Sequence, residues 1–302
     1  MTHRQNSWIL GGLALAFIAL TAAAEAPTLK FTFSDVNAPG ATETDTYGIN
    51  NAGVIAGDWV DSAGVQHGMV LTAKKLLSPT NKTCTTTPGS TSIAFYAINS
   101  ADVAVGWCLN NNGKEVGFTF GGGKFTNVAI KGALEIESTG INNAGDIAGT
   151  YVDSAGNQHG FLLAGTKLTT IDAPGVQATF GWSVNNYGVV TVYGTNSAGT
   201  YVSFTTKDGK KFTQYSAPQA GSLGTVIHAI DSKGDIDGTY YDSASNVHGW
   251  LWNKTAYYSL DDPNGCKCDT RADGLNDTLT VVGRYSTSLG GASVGYKATT
   301  SQ

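Results

Sequence analysis

The sequence predicts an all-β fold, a six-bladed β-propeller of four-stranded blades, on three observations. One anchor motif recurs six times, at steps of 49, 43, 43, 46 and 45 residues. Each unit holds four short strand-like runs separated by turn chemistry, which is the arithmetic of a propeller blade. The N-terminal segment also repeats a phrase that elsewhere ends a unit, so the ring can close on itself. Composition agrees. The chain has 39 Gly among 302 residues and 14% charged residues, against about 7% Gly and about 25% charge in ordinary globular chains. A sequence rich in Gly, Thr, Ser and Asn and poor in Glu, Lys and Leu does not make long helices.

In chain order, residues 1–24 read as an export signal. Arg4 supplies the positive start, Trp8 to Leu20 form an uncharged apolar run, and Ala22-Ala23-Ala24 offers a small-x-small cleavage site. Residues 25–302 then form one propeller domain, secreted, extracellular or periplasmic, with no membrane-spanning segment once the signal is removed. Phe31 to Gly40 (FTFSDVNAPG) matches the phrase TTIDAPG at Thr169 to Gly175. The last unit stops after its third strand near Ala298. The N-terminal strand is therefore expected to complete the sixth blade.

The six anchors are Asn50, Asn99, Asn142, Asn185, Asp231 and Asn276. Seven residues on comes Gly in every unit but the fourth, which has Val192. Seventeen residues on comes His67, His159 and His248 in alternate units. In the third unit the strands are expected at 138–142, 146–152, 158–163 and 167–171. Asn-Ala-Gly and Asp-Ser-Ala-Gly separate them, where Gly supplies positive φ and Asn or Asp caps the turn.

The unit G-I-N-N-A-G-x-I-A-G-x-x-x-D-S-x-G-x-x-H-G-F resembles the bacterial extracellular HAF repeats. Here the signature stands as His159-Gly160-Phe161, His67-Gly68-Met69 and His248-Gly249-Trp250. The resemblance covers essentially the whole chain after the signal. It implies export and a propeller-like ring, and it brings no catalytic residues.

The three histidines sit about a third of the ring apart, whereas metal ligands must converge within about 2.0–2.2 Å of one ion. Bonding inside their own blades is the expected role. The anchor Asn set is expected to cap turns, with a cation held by a ring of Asn carbonyls as the rival reading. Aromatics on the second strands, Trp59, Tyr151, Tyr240 and Tyr285, are expected to pack between blades. Functional positions should be those where the repeats break their own rule.

One face, formed by blade-to-blade connections and second-to-third-strand hairpins, collects acids. The ligand-binding candidates there are Glu43, Asp45, Glu135, Glu137, Asp261, Asp262, Asp269, Arg271 and Asp273. Lysines of the third-to-fourth-strand hairpins, such as Lys74, Lys124 and Lys210, mark the opposite face. Two-sided charge suggests self-association through oppositely charged faces. It also fits plain turn chemistry, with edge lysines that discourage strand pairing. The segment from Asp261 to Asp273 is the richest anomaly, a candidate Ca²⁺ loop or acid/base pair without EF-hand spacing.

Four cysteines in an exported chain suggest disulfides. Cys84–Cys108 is the expected bridge. Cys266–Cys268 is a possible second bridge; it would close a small strained ring, labile if formed. A formal charge of −5 excludes nucleic-acid binding by phosphate neutralisation. No nucleophile elbow, zinc-protease or phosphate-loop motif is present. The reading is a non-enzymatic binding or structural module for an extracellular glycan, peptide or protein. The alternative is a carboxylate-dependent hydrolase or lyase at the acidic face, assisted by Ca²⁺. No cofactor is certain.

Overall fold

The anchor turn sets the local geometry. Asn142 Oδ1 accepts hydrogen bonds from the N–H groups of Ala144 at 3.0 Å and Asp146 at 2.9 Å. Gly145 between them takes a φ of 84°, which glycine adopts at no steric cost. In two other blades Asp102 and Leu279 fill that place at φ 56° and 57°. The same cap recurs at every anchor and pins the hairpin between the first and second strand of each blade.

A computed structural model describes residues 29–84 and 93–301; the export signal expected over residues 1–24 lies outside the described residues. Strand β1 (Lys30–Val36) precedes the first unit. Blade 1 comprises β2 (Glu43–Ile49), β3 (Ile55–Val60), β4 (Gln66–Leu71) and β5 (Leu76–Leu77). Blade 2 comprises β6 (Ala94–Ile98), β7 (Ala104–Leu109), β8 (Glu115–Gly121) and β9 (Lys124–Asn127). Blade 3 comprises β10 (Glu135–Ile141), β11 (Ile147–Val152), β12 (Gln158–Ala164) and β13 (Lys167–Ile171). Blade 4 comprises β14 (Phe180–Val184), β15 (Val190–Thr195), β16 (Tyr201–Thr206) and β17 (Phe212–Tyr215). Blade 5 comprises β18 (Thr225–Ile230), β19 (Ile236–Tyr241), β20 (Val247–Trp252) and β21 (Tyr257–Ser259). Blade 6 comprises β22 (Thr270–Leu275), β23 (Val281–Ser286) and β24 (Ser293–Ser301), with β1 as its outermost strand in the order β1-β24-β23-β22. All pairings within the sheets are antiparallel, and β1 runs in register with β24 from Lys30↔Ser301 to Val36↔Gly295. The ring is closed by the N-terminal strand, as the sequence predicts.

The core lies between blades. Six apolar clusters among the described residues each straddle one blade interface; Phe95 and Phe118 of blade 2, for example, meet Val54 and Val70 of blade 1. The His-Gly-Phe signature now has a physical reading. Its third residue is the large buried side chain of the blade: Met69, Phe118 and Phe161 at 0% exposure, Phe204 at 2%, Trp250 at 1%. Each such burial is worth about 1.5–3 kcal/mol. The glycine before it lets the next blade approach, since a Cβ at Gly68 would strike the Phe95 ring.

The histidine stays within its own blade. His67 Nε2 lies 2.9 Å from Asp61. His159 faces Asp172 at 2.6 Å and Asp153 at 3.3 Å, and His248 faces Asp261 at 2.9 Å and Asp242 at 3.3 Å. The second-strand aromatics Trp59, Tyr151 and Tyr240 stack on these same imidazoles at 4.4, 5.2 and 4.9 Å. They therefore pack within the blade as well as between blades. Blade 4 keeps its register despite Val192, because Gly181 stands opposite it on the inner strand.

Both cysteine pairs are bonded, Cys84–Cys108 and the possible Cys266–Cys268, so no cysteine is free. One sequence expectation is corrected: the lysine face is not uniformly basic. In an antiparallel meander the first and third hairpins emerge at the same end, and the first hairpins bring Asp102, Asp146, Asp235 and Asp277 there.

Candidate functional site

Every inner strand carries a β-bulge, and all six fall three residues before the anchor. The register shifts lie between Thr46 and Gly48, Phe95 and Ala97, Ser138 and Gly140, Gly181 and Ser183, Ile227 and Ile230, and Ala272 and Gly274. A bulge leaves one residue unpaired and re-aims its side chain. The residues so released are Tyr47, Tyr96, Thr139, Trp182, His228 and Asp273. They form a collar across the channel, and no two neighbours are alike except Tyr47 and Tyr96.

The collar is bonded around its circumference. Tyr47 stacks on Tyr96 at 4.6 Å, Tyr96 meets Trp182 edge-on at 5.8 Å, and Trp182 lies against His228 at 4.6 Å. His228 Nδ1 donates to the Ala272 carbonyl at 2.8 Å and lies 3.2 Å from Asp273. Arg284 closes the circuit, 3.3 Å from Asp273 and 5.1 Å over the Tyr47 ring.

Electrostatics follow from burial. Burial pulls the His228 imidazole down, against the pull of Asp273. With Nδ1 as donor, its Nε2 is an acceptor. Asp58 stands directly across from Asp45 on the neighbouring strand. Burial, then the Asp45 charge, push the Asp58 carboxyl well above the usual range. Burial alone would lower Arg284, yet Asp273, Tyr47 and Asp45 hold its guanidinium firmly charged. On the other side of the mouth Glu137 shares a hydrogen bond with Glu115. Burial and the Glu115 charge raise Glu137 to about 8.

Above the collar, between blades 4, 5 and 6, opens a cavity of about 180 Å³. Its walls are Trp182, Tyr193, Tyr201 and Tyr241, with Val226, His228, Thr239, Arg271, Asp273 and Arg284. Tyr201 and Tyr241 stack at 5.5 Å, and Tyr193 joins them to Trp182 and Phe180. Arg271 is oriented by Asp269 at 3.0 Å. The Thr239 hydroxyl is buried and has no partner among the described residues.

Below the collar the channel narrows to a cavity of about 100 Å³ lined by the anchors. Each anchor Asn donates from Nδ2 to the backbone carbonyl of the next anchor. Asn50 reaches Asn99, Asn99 reaches Asn142, Asn142 reaches Asn185, Asn185 reaches Asp231 and Asn276 reaches Asn50, at 3.0 to 3.1 Å. The Oδ1 atoms point into the turns, so no ring of carbonyl oxygens faces the channel. Asp231 has no amide to donate, and its Oδ2 is buried without a partner among the described residues.

Of the candidates chosen from sequence, Asp45, Arg271 and Asp273 converge on the mouth, with Asp269 behind Arg271. Glu137 stands near Tyr96 and Tyr193, whose hydroxyls its charge helps to raise. Glu135 pairs with Lys114 at 2.5 Å, and Glu43 is exposed at the start of β2. Asp261 is held by His248, and Asp262 caps the turn at Asn264. The segment from Asp261 to Asp273 therefore does not gather its carboxylates at one point, and among the described residues no three His, Cys, Asp or Glu side chains are grouped to hold a metal ion. Tyr47, Tyr96, Trp182, His228, Arg284, Tyr193, Tyr201 and Tyr241 were missed. One signal was available: the column three before the anchor reads Tyr, Tyr, Thr, Trp, His, Asp, where other columns repeat.

No family model matches this chain, and no curated protein matches it. Solved propellers do. SapL1 lectin in complex with α-methyl fucoside matches with a TM-score of 0.53 at 11% identity, over 87% of this chain and 97% of its own. A single-site mutant of the Aleuria aurantia lectin in complex with Fucα1-6GlcNAc matches at 0.53 and 11%, over 91% and 95%. A TolB candidate from Agrobacterium tumefaciens matches at 0.55 and 10%, over 91% and 100%. At such identities the likeness shows the fold: this chain is a six-bladed β-propeller of the shape shared by fucoside-bound lectins and a TolB-like protein.

Proposed function

We propose that the chain is an exported, non-enzymatic glycan-binding propeller of the HAF-repeat kind, with its carbohydrate site at the mouth between blades 4, 5 and 6. The observation that carries this reading is the pocket itself. Aromatic faces from Trp182, Tyr193, Tyr201 and Tyr241 stand beside Arg271, Arg284 and the Thr239 hydroxyl. Sugar rings present apolar C–H faces and a polar rim, which stacking and directed hydrogen bonds recognise together. At about 180 Å³ the pocket is smaller than the roughly 300–1,000 Å³ of drug-sized sites, so it takes one ring of a glycan. The lectin neighbours support the reading; the TolB-like neighbour shows that the fold does not by itself choose a ligand.

Carboxylate catalysis is the weaker alternative. Glycosidase carboxyls stand about 5–5.5 Å or about 6.5–9.5 Å apart, whereas Glu115 and Glu137 are within hydrogen-bonding reach of each other. Such a pair shares a proton and leaves no room for a glycosidic bond. The two disulfides suit an oxidising, extracellular or periplasmic address.

A glycan array probed with the intact chain tests the proposal, followed by titration of Tyr201→Ala and Tyr241→Ala, which alter the rim rather than the collar. Binding should appear in the array and fall at least about tenfold in each variant with the melting temperature unchanged. A silent array, or variants that bind as well as the parent, would refute it.

A further inference from the structure

We infer that the mouth pocket selects an acidic saccharide, a pyranose bearing a carboxylate. This rests on the glycan reading above and deepens it. The argument is a count of unused hydrogen-bonding groups. Arg271 donates from Nε to Asp269 at 3.0 Å, which fixes the guanidinium plane and leaves its terminal N–H groups without a partner among the described residues. Arg284 engages Asp273 through one terminal nitrogen only. The hydroxyls of Tyr193, Tyr201 and Tyr241 make no hydrogen bond among the described residues, and that of Thr239 is buried with none. On the acceptor side almost nothing is open. Asp273 meets His228 with Oδ1 and Arg284 with Oδ2, so among the side chains of the pocket wall the one unengaged acceptor that cannot also donate is His228 Nε2. Outside the wall, Asp45 beside Arg284 keeps a buried Oδ1 with no partner among the described residues.

A pocket that offers donors and few acceptors fits a ligand rich in acceptors. The planar fork of Arg271 matches a carboxylate in two parallel N–H···O bonds, a geometry that a tetrahedral sulfate shares less well. Asp45, Asp269 and Asp273 outnumber the two guanidiniums they pair with, so the preference comes from directed N–H groups and not from a positive field.

The test titrates the protein by its intrinsic fluorescence with galacturonate, the methyl ester of galacturonate, galactose and galactose 6-sulfate. Galacturonate should bind at least about tenfold more tightly than its methyl ester. Arg271→Gln, folded by thermal melt, should lower galacturonate affinity by more than that of the ester and so remove the difference between them. Arg271→Lys should lose most of it too, because charge without the fork is not enough. Equal binding of acid and ester overturns this inference and leaves the glycan reading intact, as does tighter binding of the sulfate. Binding of none of the four, together with a silent glycan array, overturns both.

Discussion

Replacing Asp231 by Asn should stabilise the protein, and the structure says by how much and at which pH. Five anchors donate an amide N–H to the next anchor's carbonyl, and the ring of bonds is broken only between blades 5 and 6. Asp231 Oδ1 caps its own turn through the N–H groups of Lys233 and Asp235, both at 2.8 Å. Oδ2 therefore occupies the place where the other anchors carry Nδ2, facing the Asn276 carbonyl, acceptor against acceptor. Burial pushes the Asp231 carboxyl up from 3.8 to about 6, with the charges of Asp235 and Asp277 adding to the effect. At about 1.36 kcal/mol per unit the shift corresponds to about 3 kcal/mol at neutral pH. Water at the narrow end of the channel screens part of it, which leaves a gain of about 1–2 kcal/mol for the amide.

The pH dependence has a definite sign. The folded-state value is the raised one, so between about pH 4 and pH 6 the native protein holds a proton that the unfolded chain has released. Wild-type stability therefore falls as pH rises through that window, and the Asp231→Asn protein lacks this loss. Thermal melts at pH 7.5 should place the variant about 2–8 °C higher, at about 2–4 °C per kcal/mol for a domain of this size. At pH 4 the protonated carboxyl can donate to Asn276 as an amide would, and the two melts should nearly coincide. Asn185→Asp is the converse test, since it opens a second gap and should cost a similar amount at pH 7.5. A variant no more stable than wild type at pH 7.5, or a gain that persists unchanged at pH 4, would refute the reasoning.

Glu137→Gln should flatten a second pH dependence. Glu115 and Glu137 are both raised, Glu137 to about 8, so wild-type melting temperatures should go on declining between about pH 6 and pH 8, above the Asp231 window, and those of the variant should decline less there. The Cys84–Cys108 bridge spans 24 residues, so its paired replacement by Ala should cost about 3 kcal/mol in chemical denaturation. Paired replacement of Cys266 and Cys268, only two residues apart, should cost clearly less. Deleting the chain through Val36 uncovers the edge of β24 and the contacts of Phe31 with Tyr258 and Phe33 with Tyr296. Light scattering should then show self-association through the bare edge, and a peptide of residues 29–37 added in excess should suppress it.

The ring and its closure were legible because they are written in signals that survive without coordinates. A capped Asn-Ala-Gly turn is local chemistry. Its sixfold recurrence multiplies a weak propensity into a firm one, and the phrase that the N-terminal segment shares with the end of the third unit gives the latch. The mouth was not legible for a physical reason. Side chains on a regular strand alternate between faces, so a period-two reading sends Tyr47 or Trp182 toward a blade interface. The bulge shifts the register by one residue and turns the side chain into the channel. The acids misled in another way. Sorting them by the loop that carries them placed Asp261 and Asp262 with Asp273, yet Asp261 bonds His248 and Asp262 bonds its own turn, while Asp273 lies on an inner strand facing Arg284. Loop membership fixes the end of the molecule a residue occupies, not the partner it meets.

The two ends of the channel divide the work of the repeat. At the narrow end the anchors are alike because each must cap a turn and bridge to its neighbour, two hydrogen bonds to the turn and one across, at a net value of about 1 kcal/mol apiece. Changing one of them costs stability in two blades. Three residues earlier the bulge frees a side chain from ladder geometry, so Tyr, Thr, Trp, His and Asp can all stand there without disturbing the pairing on either side. The large buried residue of the third strand holds the blade regardless of which of these is present. Variation at the bulge column is thus nearly neutral for the fold and decisive for the channel, and its most polar members, His228 and Asp273, sit together in blades 5 and 6 beside both guanidiniums. That clustering, rather than the acidic character of the face as a whole, is what makes one sector of a sixfold ring chemically different from the rest.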